Sequence, residues 1–384
     1  MSVRLREIQL LLGCARVDNG ANTSLHTQAA GISDWDALLD AADYHGVTPL
    51  LYRGLEGAFP SALPPEVAKR LRDAYHDSAK RGLILSVTLL TLLDALQRGG
   101  IAALPLKGPV LAELLYPDPA LRPFSDVDIL IRRQDVPAAL RVLARDGYAP
   151  GPHLARLPMQ TLLGLSDEVL LRHPRGANVD VHWGIAPADY PFRFDPEILW
   201  RSLRPAGLGG REVPGLTAES LLLFLCVHGA KHLWSRLMWL GDVARIAQQK
   251  PDWAGALELA DGAGCARPLL MGLVLAHDLL GAPVPEWVLA RGGAQRVIQS
   301  LAREAALRLD RIPPGEPGSL ELTRFNARMA EKSWAKARHY SALLAPTEAE
   351  LQLLRLPRML ALLYYPLRIV RLSAKYAVKR VRGR

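Results

Sequence analysis

Residues 126–131 read DVDILI, and residues 178–183 read NVDVHW. Side chains two apart in a strand point to the same side of the sheet. Asp126 and Asp128 therefore share one face, and Val127, Ile129 and Ile131 share the other, which is the face to bury. The second stretch repeats the pattern, with Val179, Val181 and Trp183 inward and Asp180 and His182 outward. The first two carboxylates stand about 6–7 Å apart along their backbone. If the two strands are neighbours, three carboxylates meet on one face. Such a patch repels itself and is costly to desolvate unless cations neutralise it. Hard oxygen donors suit Mg²⁺, which keeps waters or takes phosphate oxygens as its other ligands.

Working outward, IAALPLKG (101–108) reads as a strand despite Pro105, and 108–116 as a short helix before a turn region with Pro117, Pro119 and Pro123. The spacing predicts a helix over 134–146, closed by Gly147, and a further strand at EVLLRH (168–173) with a hairpin turn at Arg175-Gly176. Upstream, 1–98 is mostly helical in pattern. Leu83, Leu85, Leu89, Leu90, Leu93 and Leu96 fall at helical spacing between Asp77 and Gln97, ahead of Gly99-Gly100. Downstream, Thr217 opens a long apolar helix through Leu233, followed by helices over 236–249, 254–263, 267–280 and 292–309 and a Pro/Gly-rich loop over 310–319. The result is a mixed α/β segment framed by helices.

The chain has 384 residues, 49% of them hydrophobic. That excludes a mainly disordered protein and allows two or three domains. A formal net charge of +9 concentrates anions such as nucleotides, nucleic acids or acidic lipid without choosing among them. Cys14, Cys226 and Cys265 form no CxxC pair, which argues against a cysteine-based zinc site and suits a reducing cytoplasm. The opening MSVRLREIQLLLGCA reads as an amphipathic helix rather than a signal peptide. The most apolar run, LLMGLVLAHDLLGAP (269–283), is broken by His277 and Asp278, so a spanning helix is not expected. Walker, GxGxxG and GxSxG sequences are missing. Beyond Glu350 no acidic residue follows, while nine Lys or Arg alternate with apolar residues.

The stretch LPLKGPVLAELLYPDPALRPFSDVDILI (104–131), with NVDVHW farther on, resembles the uncharacterised nucleotidyltransferase family of the DNA polymerase β-like superfamily. The resemblance covers roughly residues 75–250. Its pattern is a Gly-Ser or similar pair after the first strand, a helix, Asp-x-Asp/Glu on the second strand and a carboxylate on a later one. Lys107-Gly108 stands at the first element, Asp126 and Asp128 at the second and Asp180 at the third, with Arg122 and Ser125 as lead-in. LLLFLCVHGAKHLWSRLMWLGDVARI (221–246) is similar to the family's helical region, with His228, Lys231, His232, Trp239 and Asp242 at the matching places. The departure is Lys107-Gly108-Pro109 in place of Gly-Ser: Pro109 has no N–H to offer a phosphate, and Lys107 could supply a charge instead.

The resemblance implies an α+β fold: a nucleotidyltransferase-type mixed β-sheet core with flanking helices, plus N-terminal and C-terminal helical regions. The corresponding division is an N-terminal helical region (1–75), the core (76–205), a helical domain (206–345) and a basic amphipathic tail (346–384). It implies an Mg²⁺-dependent, two-ion enzyme that moves a nucleoside monophosphate from an NTP such as ATP to an unidentified acceptor: a small molecule, glycan, peptide or nucleic acid. Asp126, Asp128 and Asp180 would hold metal and carry catalysis, with Asp128 the bridge and Asp180 the proton acceptor. Lys107, Gly108, Arg122, Ser125 and Lys231 would bind phosphates, and His182, His228 and His232 would support them. Each has a plainer reading. Arg122 could pair with Asp118, Lys231 could be surface charge, and His228 and His232, at i and i+4 without the glutamate of HExxH, fit a packed pair better than a zinc site. Asp242 is expected to cap or pair locally. Alternatives for the whole are a catalytically silent nucleotide-binding protein on the same fold, or a nucleic-acid-modifying transferase. A cytoplasmic location is expected, with the basic tail a candidate for peripheral contact with an anionic membrane.

Overall fold

A computed structural model describes residues 3–17, 22–56, 63–152, 154–174, 176–186, 190–192, 194–311, 315, 317–342 and 363–371. Four helices open it: α1 (Val3–Ala15), α2 (Asn22–Ala29), α3 (Trp35–His45) and α4 (Thr48–Leu55). The Asp34 carboxylate accepts from the Ala37 N–H to start α3, and Gly46, at φ 67°, ends it. The N-terminal segment is helical as its pattern predicts, and it buries Ile8, Leu10, Leu11 and Ala15. Next comes α5 (Pro65–Arg98), 34 residues and about 50 Å long. Its start at Pro65 is earlier than the leucine spacing predicts, because proline at the first turn suits a helix start.

The sheet is built from β1 (Ala103–Pro105), α6 (Pro109–Leu115), β2 (Asp126–Ile131), α7 (Val136–Arg145), β3 (Ala149–Pro150), α8 (Met159–Leu165), β4 (Glu168–Arg172) and β5 (Asn178–His182). Its five strands run in the order β1-β2-β5-β4-β3. Only β2 and β5 are parallel; the other pairs are antiparallel. Pro105 is tolerated because β1 is an edge strand of this sheet. The antiparallel β4–β5 pairing is the one expected of a hairpin, although Arg175 of its turn lies outside the described residues.

A second hairpin, β6 (Leu203–Leu208) and β7 (Arg211–Leu216), follows the short α9 (Glu197–Trp200). Its turn is Gly209-Gly210, at φ 57° and 76°, the positive values a two-residue hairpin turn requires. It docks through the Gly209 N–H on Glu113 of α6 (3.0 Å) and a bidentate Arg211–Asp94 pair on α5 (2.7 and 3.0 Å).

The remaining helices are α10 (Ala218–Lys231), α11 (Leu237–Gln248), α12 (Trp253–Ala263), α13 (Ala266–Leu280), α14 (Glu286–Gly293), α15 (Arg296–Leu309), α16 (Ser319–Met329) and α17 (Ser333–Ala342). The helix expected over 292–309 is α15, which begins at Arg296 because the poor helix formers Gly292-Gly293 end the preceding α14. Among the described residues no helix is long and apolar enough to cross a membrane. Of the basic tail only 363–371 falls within the described residues, helical over 364–371.

Two cores meet at the sheet. Val127, Ile129, Ile131, Val169, Leu171, Val179, Val181 and Trp183 pack with Leu85, Leu89, Leu92 and Leu96 of α5 and Leu143 of α7. On the other side Leu104, Leu106 and Leu130 join a larger core running from α1 to α16. The carboxylate-bearing face, read as outward, is therefore the floor of a roofed cleft: Asp128 is 4% exposed and Leu130 is fully buried.

Candidate active site

Strand register brings the acidic residues together. Across the parallel β2–β5 pair Asp128 faces Asp180, Asp126 faces Asn178 and Leu130 faces His182. Directly paired residues stand about 4.8 Å apart. Across the antiparallel β4–β5 pair His182 faces Glu168. Asp126, Asp128, Asp180, His182 and Glu168 thus share one face. The backbone delivers Lys107 to the same place. The Leu106 N–H bonds the Asp128 carbonyl at 3.0 Å, and Gly108 turns tightly at φ 64°, ψ −127° against the Asp126 carbonyl. A Cβ at Gly108 would stand 3.3 Å from that oxygen, in a backbone conformation that only glycine adopts without strain.

At the centre, Asp128 Oδ1 accepts from Lys107 Nζ and from His182 Nε2, each at 3.0 Å, and His182 Nδ1 pairs with Glu168 Oε2 at 3.0 Å. Burial works against the Asp128 carboxylate, but Lys107 and His182 hold it far below the ordinary range. The His182 hydrogen bond draws Glu168 down to about 2. Burial likewise opposes charge on His182 and Lys107, and the carboxylates outweigh it in both, raising their pKa values. The flanking carboxylates behave oppositely. Burial, then repulsion from Asp128, pushes Asp180 up to about 6 and raises Asp126. Among the described residues neither has a side-chain hydrogen bond or ion pair.

The end of α10 forms the roof. Thr217 caps its start, its hydroxyl accepting from the Ser220 N–H at 3.4 Å. At the other end Leu233 and Trp234 take positive φ, 57° and 52°, which costs about 1–3 kcal/mol per residue. Packing holds them there. The fully buried Trp234 indole lies in a notch between Gly229 of α10 and Gly272 of α13, and a Cβ at Gly272 would come within 2.7 Å of its ring. This fixes His228, Lys231 and His232 above the strands. Lys231 faces Glu168, Lys107, Asp167 and Asp128; burial lowers its pKa, and its ammonium has no partner among the described residues. The rings of His228 and His232 lie 4.9 Å apart and against Trp239 at 5.2 and 5.4 Å. Burial, then the charge of Lys107, pushes His228 well down; burial, then Lys231, takes His232 to about 4.

Two lead-in residues lie elsewhere. Ser125 is exposed just before β2. Arg122 pairs with Asp242 of α11 rather than Asp118: Nε to Oδ1 2.9 Å, Nη2 to Oδ2 2.8 Å. Tyr116 donates its hydroxyl to Asp242 Oδ1 at 3.0 Å. Asp118 instead accepts from the Ala120 N–H and from the Tyr75 hydroxyl at 2.6 Å. At 3% exposure, with Nε and Nη2 on Asp242, Arg122 braces the core against α11, and Asp242 pairs far from its own helix. Glu168 was not among the sequence candidates. Its signal was the register with His182, which depends on knowing that β4 neighbours β5.

A family model described as "Uncharacterised nucleotidyltransferase" matches residues 32–281, well over half of the chain. No curated protein and no solved structure matches it.

Proposed function

Because the chain belongs to the uncharacterised nucleotidyltransferase family, we propose that it transfers a nucleoside monophosphate from an NTP to an acceptor hydroxyl or phosphate with the help of Mg²⁺. The observation that supports this most directly is the register of Asp128 beside Asp180, with Asp126 on the same face, beneath the Lys231 ammonium, which has no partner among the described residues.

The donor set fits a divalent ion. It is all carboxylate oxygen, and burial and repulsion raise Asp126 and Asp180 against the pull of the nearby Lys107 and His182. No group of three or more His, Cys, Asp or Glu among the described residues is already closed around one point, so phosphate oxygens and water would complete the shell. When bound, the ion would draw charge from the phosphates and acidify the attacking hydroxyl.

The chain's own residues do the rest. Lys231, on the roof, holds the β- and γ-phosphates by charge. Gly108 keeps the turn after β1 close to the Asp126 backbone, and the seven-residue α6 with Pro109 at its first position offers few N–H donors there. The acceptor oxygen bonds to the α-phosphorus, the bond from that phosphorus to the α–β bridging oxygen breaks, and pyrophosphate leaves. Asp180 takes the acceptor's proton. Glu168 and Lys107 orient His182 and Asp128 through the hydrogen bonds described above. Catalysis on this plan is mostly positioning and charge.

The test is Asp128→Asn. The variant should keep the wild-type circular dichroism spectrum and lose Mg²⁺-dependent pyrophosphate release from a mixture of the four NTPs. Equal release by variant and wild type would remove the proposal's basis.

A further inference from the structure

We propose that the Lys107 ammonium is a resident cation of the carboxylate site, standing where one of two divalent ions would otherwise bind, so that the chain takes a single divalent ion. The inference rests on the nucleotidyltransferase reading above and narrows it.

The argument begins with the lone pairs of Asp128. A carboxylate that bridges two metal ions gives one oxygen to each. Each carboxylate oxygen has two lone pairs. Both of those on Asp128 Oδ1 are in use, by Lys107 Nζ at 3.0 Å and His182 Nε2 at 3.0 Å. Only Oδ2 is left, so Asp128 cannot give one oxygen to each of two ions.

Lys107 is not a stray surface side chain. The Leu106 N–H bond to the Asp128 carbonyl and the tight glycine turn at Gly108 fix its backbone on both sides, and its side chain is only 21% exposed. His182 is fixed in turn by Glu168 on its other nitrogen. The occupied oxygen is thus held from two directions by donors that are themselves anchored.

One divalent ion is what the remaining open oxygens accommodate. It would lie on the side of Asp126, Asp180 and Asp128 Oδ2, where two carboxylates lack partners among the described residues. A second divalent ion on the Oδ1 side would face the ammonium at close range.

The probe is Mn²⁺, counted by electron paramagnetic resonance on the full chain, with and without a nonhydrolysable α,β-methylene NTP. Only ions lost on replacing both Asp126 and Asp180 by Asn are counted. One ion per wild-type chain, two magnetically coupled ions in Lys107→Gln and one in the charge-conserving Lys107→Arg would support the proposal. Two ions in the wild type would overturn it and leave the nucleotidyltransferase reading intact, as would one ion in both wild type and Lys107→Gln. No ion in any form, even with the NTP analogue, would overturn the metal-dependent reading itself. Should Lys107→Gln not fold, the wild-type count and the presence or absence of Mn–Mn coupling decide alone.

Discussion

Removing the carboxylate of Asp242 should destabilise the protein by about 3–5 kcal/mol, the usual cost of stranding a buried charge. Asp242 is fully buried and Arg122 is 3% exposed. Their two hydrogen bonds, at 2.8 and 2.9 Å, leave the guanidinium no route to water, and the Tyr116 hydroxyl uses the same carboxylate at 3.0 Å. In Asp242→Ala one positive charge and one hydroxyl lose their partner together. The two losses belong to one network, so they do not add, and the estimate stays with the charge. The double variant Arg122→Met/Asp242→Leu removes both charges and fills similar volume, so it should recover most of the loss, leaving about 1 kcal/mol for Tyr116. Thermal unfolding followed by the fluorescence of the eight tryptophans gives the readout. At about 2 °C per kcal/mol for a large chain, the single variant should melt about 6–10 °C lower. A single variant that melts with the wild type, or a double variant as damaged as the single, would refute the view that a buried ion pair joins the sheet's lead-in to α11.

Other outcomes follow from the roof and the core. Gly229→Ala puts a methyl group inside the Trp234 ring, so it should lower stability by about 1–3 kcal/mol and reduce activity through displacement of Lys231, as measured by urea unfolding beside pyrophosphate release. Lys231→Met should raise the KM for NTP about tenfold or more, the loss of a charge-assisted contact, with circular dichroism unchanged; an unaltered KM would remove Lys231 from the phosphate site. His45 is buried, and burial, then Arg236, pushes its pKa down to about 4 from 6.5. The unfolded chain therefore takes up the proton first. Stability is full above about pH 6.5 and falls by up to about 3 kcal/mol as the pH drops toward 4, and in His45→Phe that part of the pH dependence should vanish from urea midpoints.

The sequence displayed some of this site and withheld the rest for definite reasons. The face shared by Asp126 and Asp128 follows from the two-residue repeat of any strand, so it was readable from six letters. Their meeting with Asp180 required knowing that β2 and β5 are neighbours, which no local pattern states. Glu168 sits alone at the head of its strand, and its role arises only through the register that sets it opposite His182. For Arg122 the local pattern offers a phosphate or Asp118, four residues away; the carboxylate it pairs with, Asp242, is 120 residues away. The β6–β7 hairpin was missed although Gly209-Gly210 stood in plain view, because Pro205, Gly207, Pro214 and Gly215 dilute the strand pattern on both sides. Hydrophobic alternation reports local geometry, whereas ion pairs and registers report the folded topology.

The strained end of α10 explains why the cleft needs the helical region and not the sheet alone. Leu233 and Trp234 hold a left-handed backbone that neither residue favours, and the notch between Gly229 and Gly272 is what makes it tolerable. A relaxed helix end would release Trp234 from that notch and let Lys231 swing toward water. The packing of α10 on α13, well away from any carboxylate, therefore sets where the roof's ammonium stands. Burial keeps His228 and His232 uncharged near neutral pH, with His232 at about 4, so they add an aromatic wall and no charge. The cationic field over the proposed triphosphate site is then due chiefly to Lys231 above and Lys107 below, one without a partner among the described residues and one committed to Asp128. On the proposed reading, that division gives phosphate capture to the roof and carboxylate neutralisation to the floor. Exchanging Gly272 for a larger residue should consequently damage NTP binding before it disturbs the acidic face.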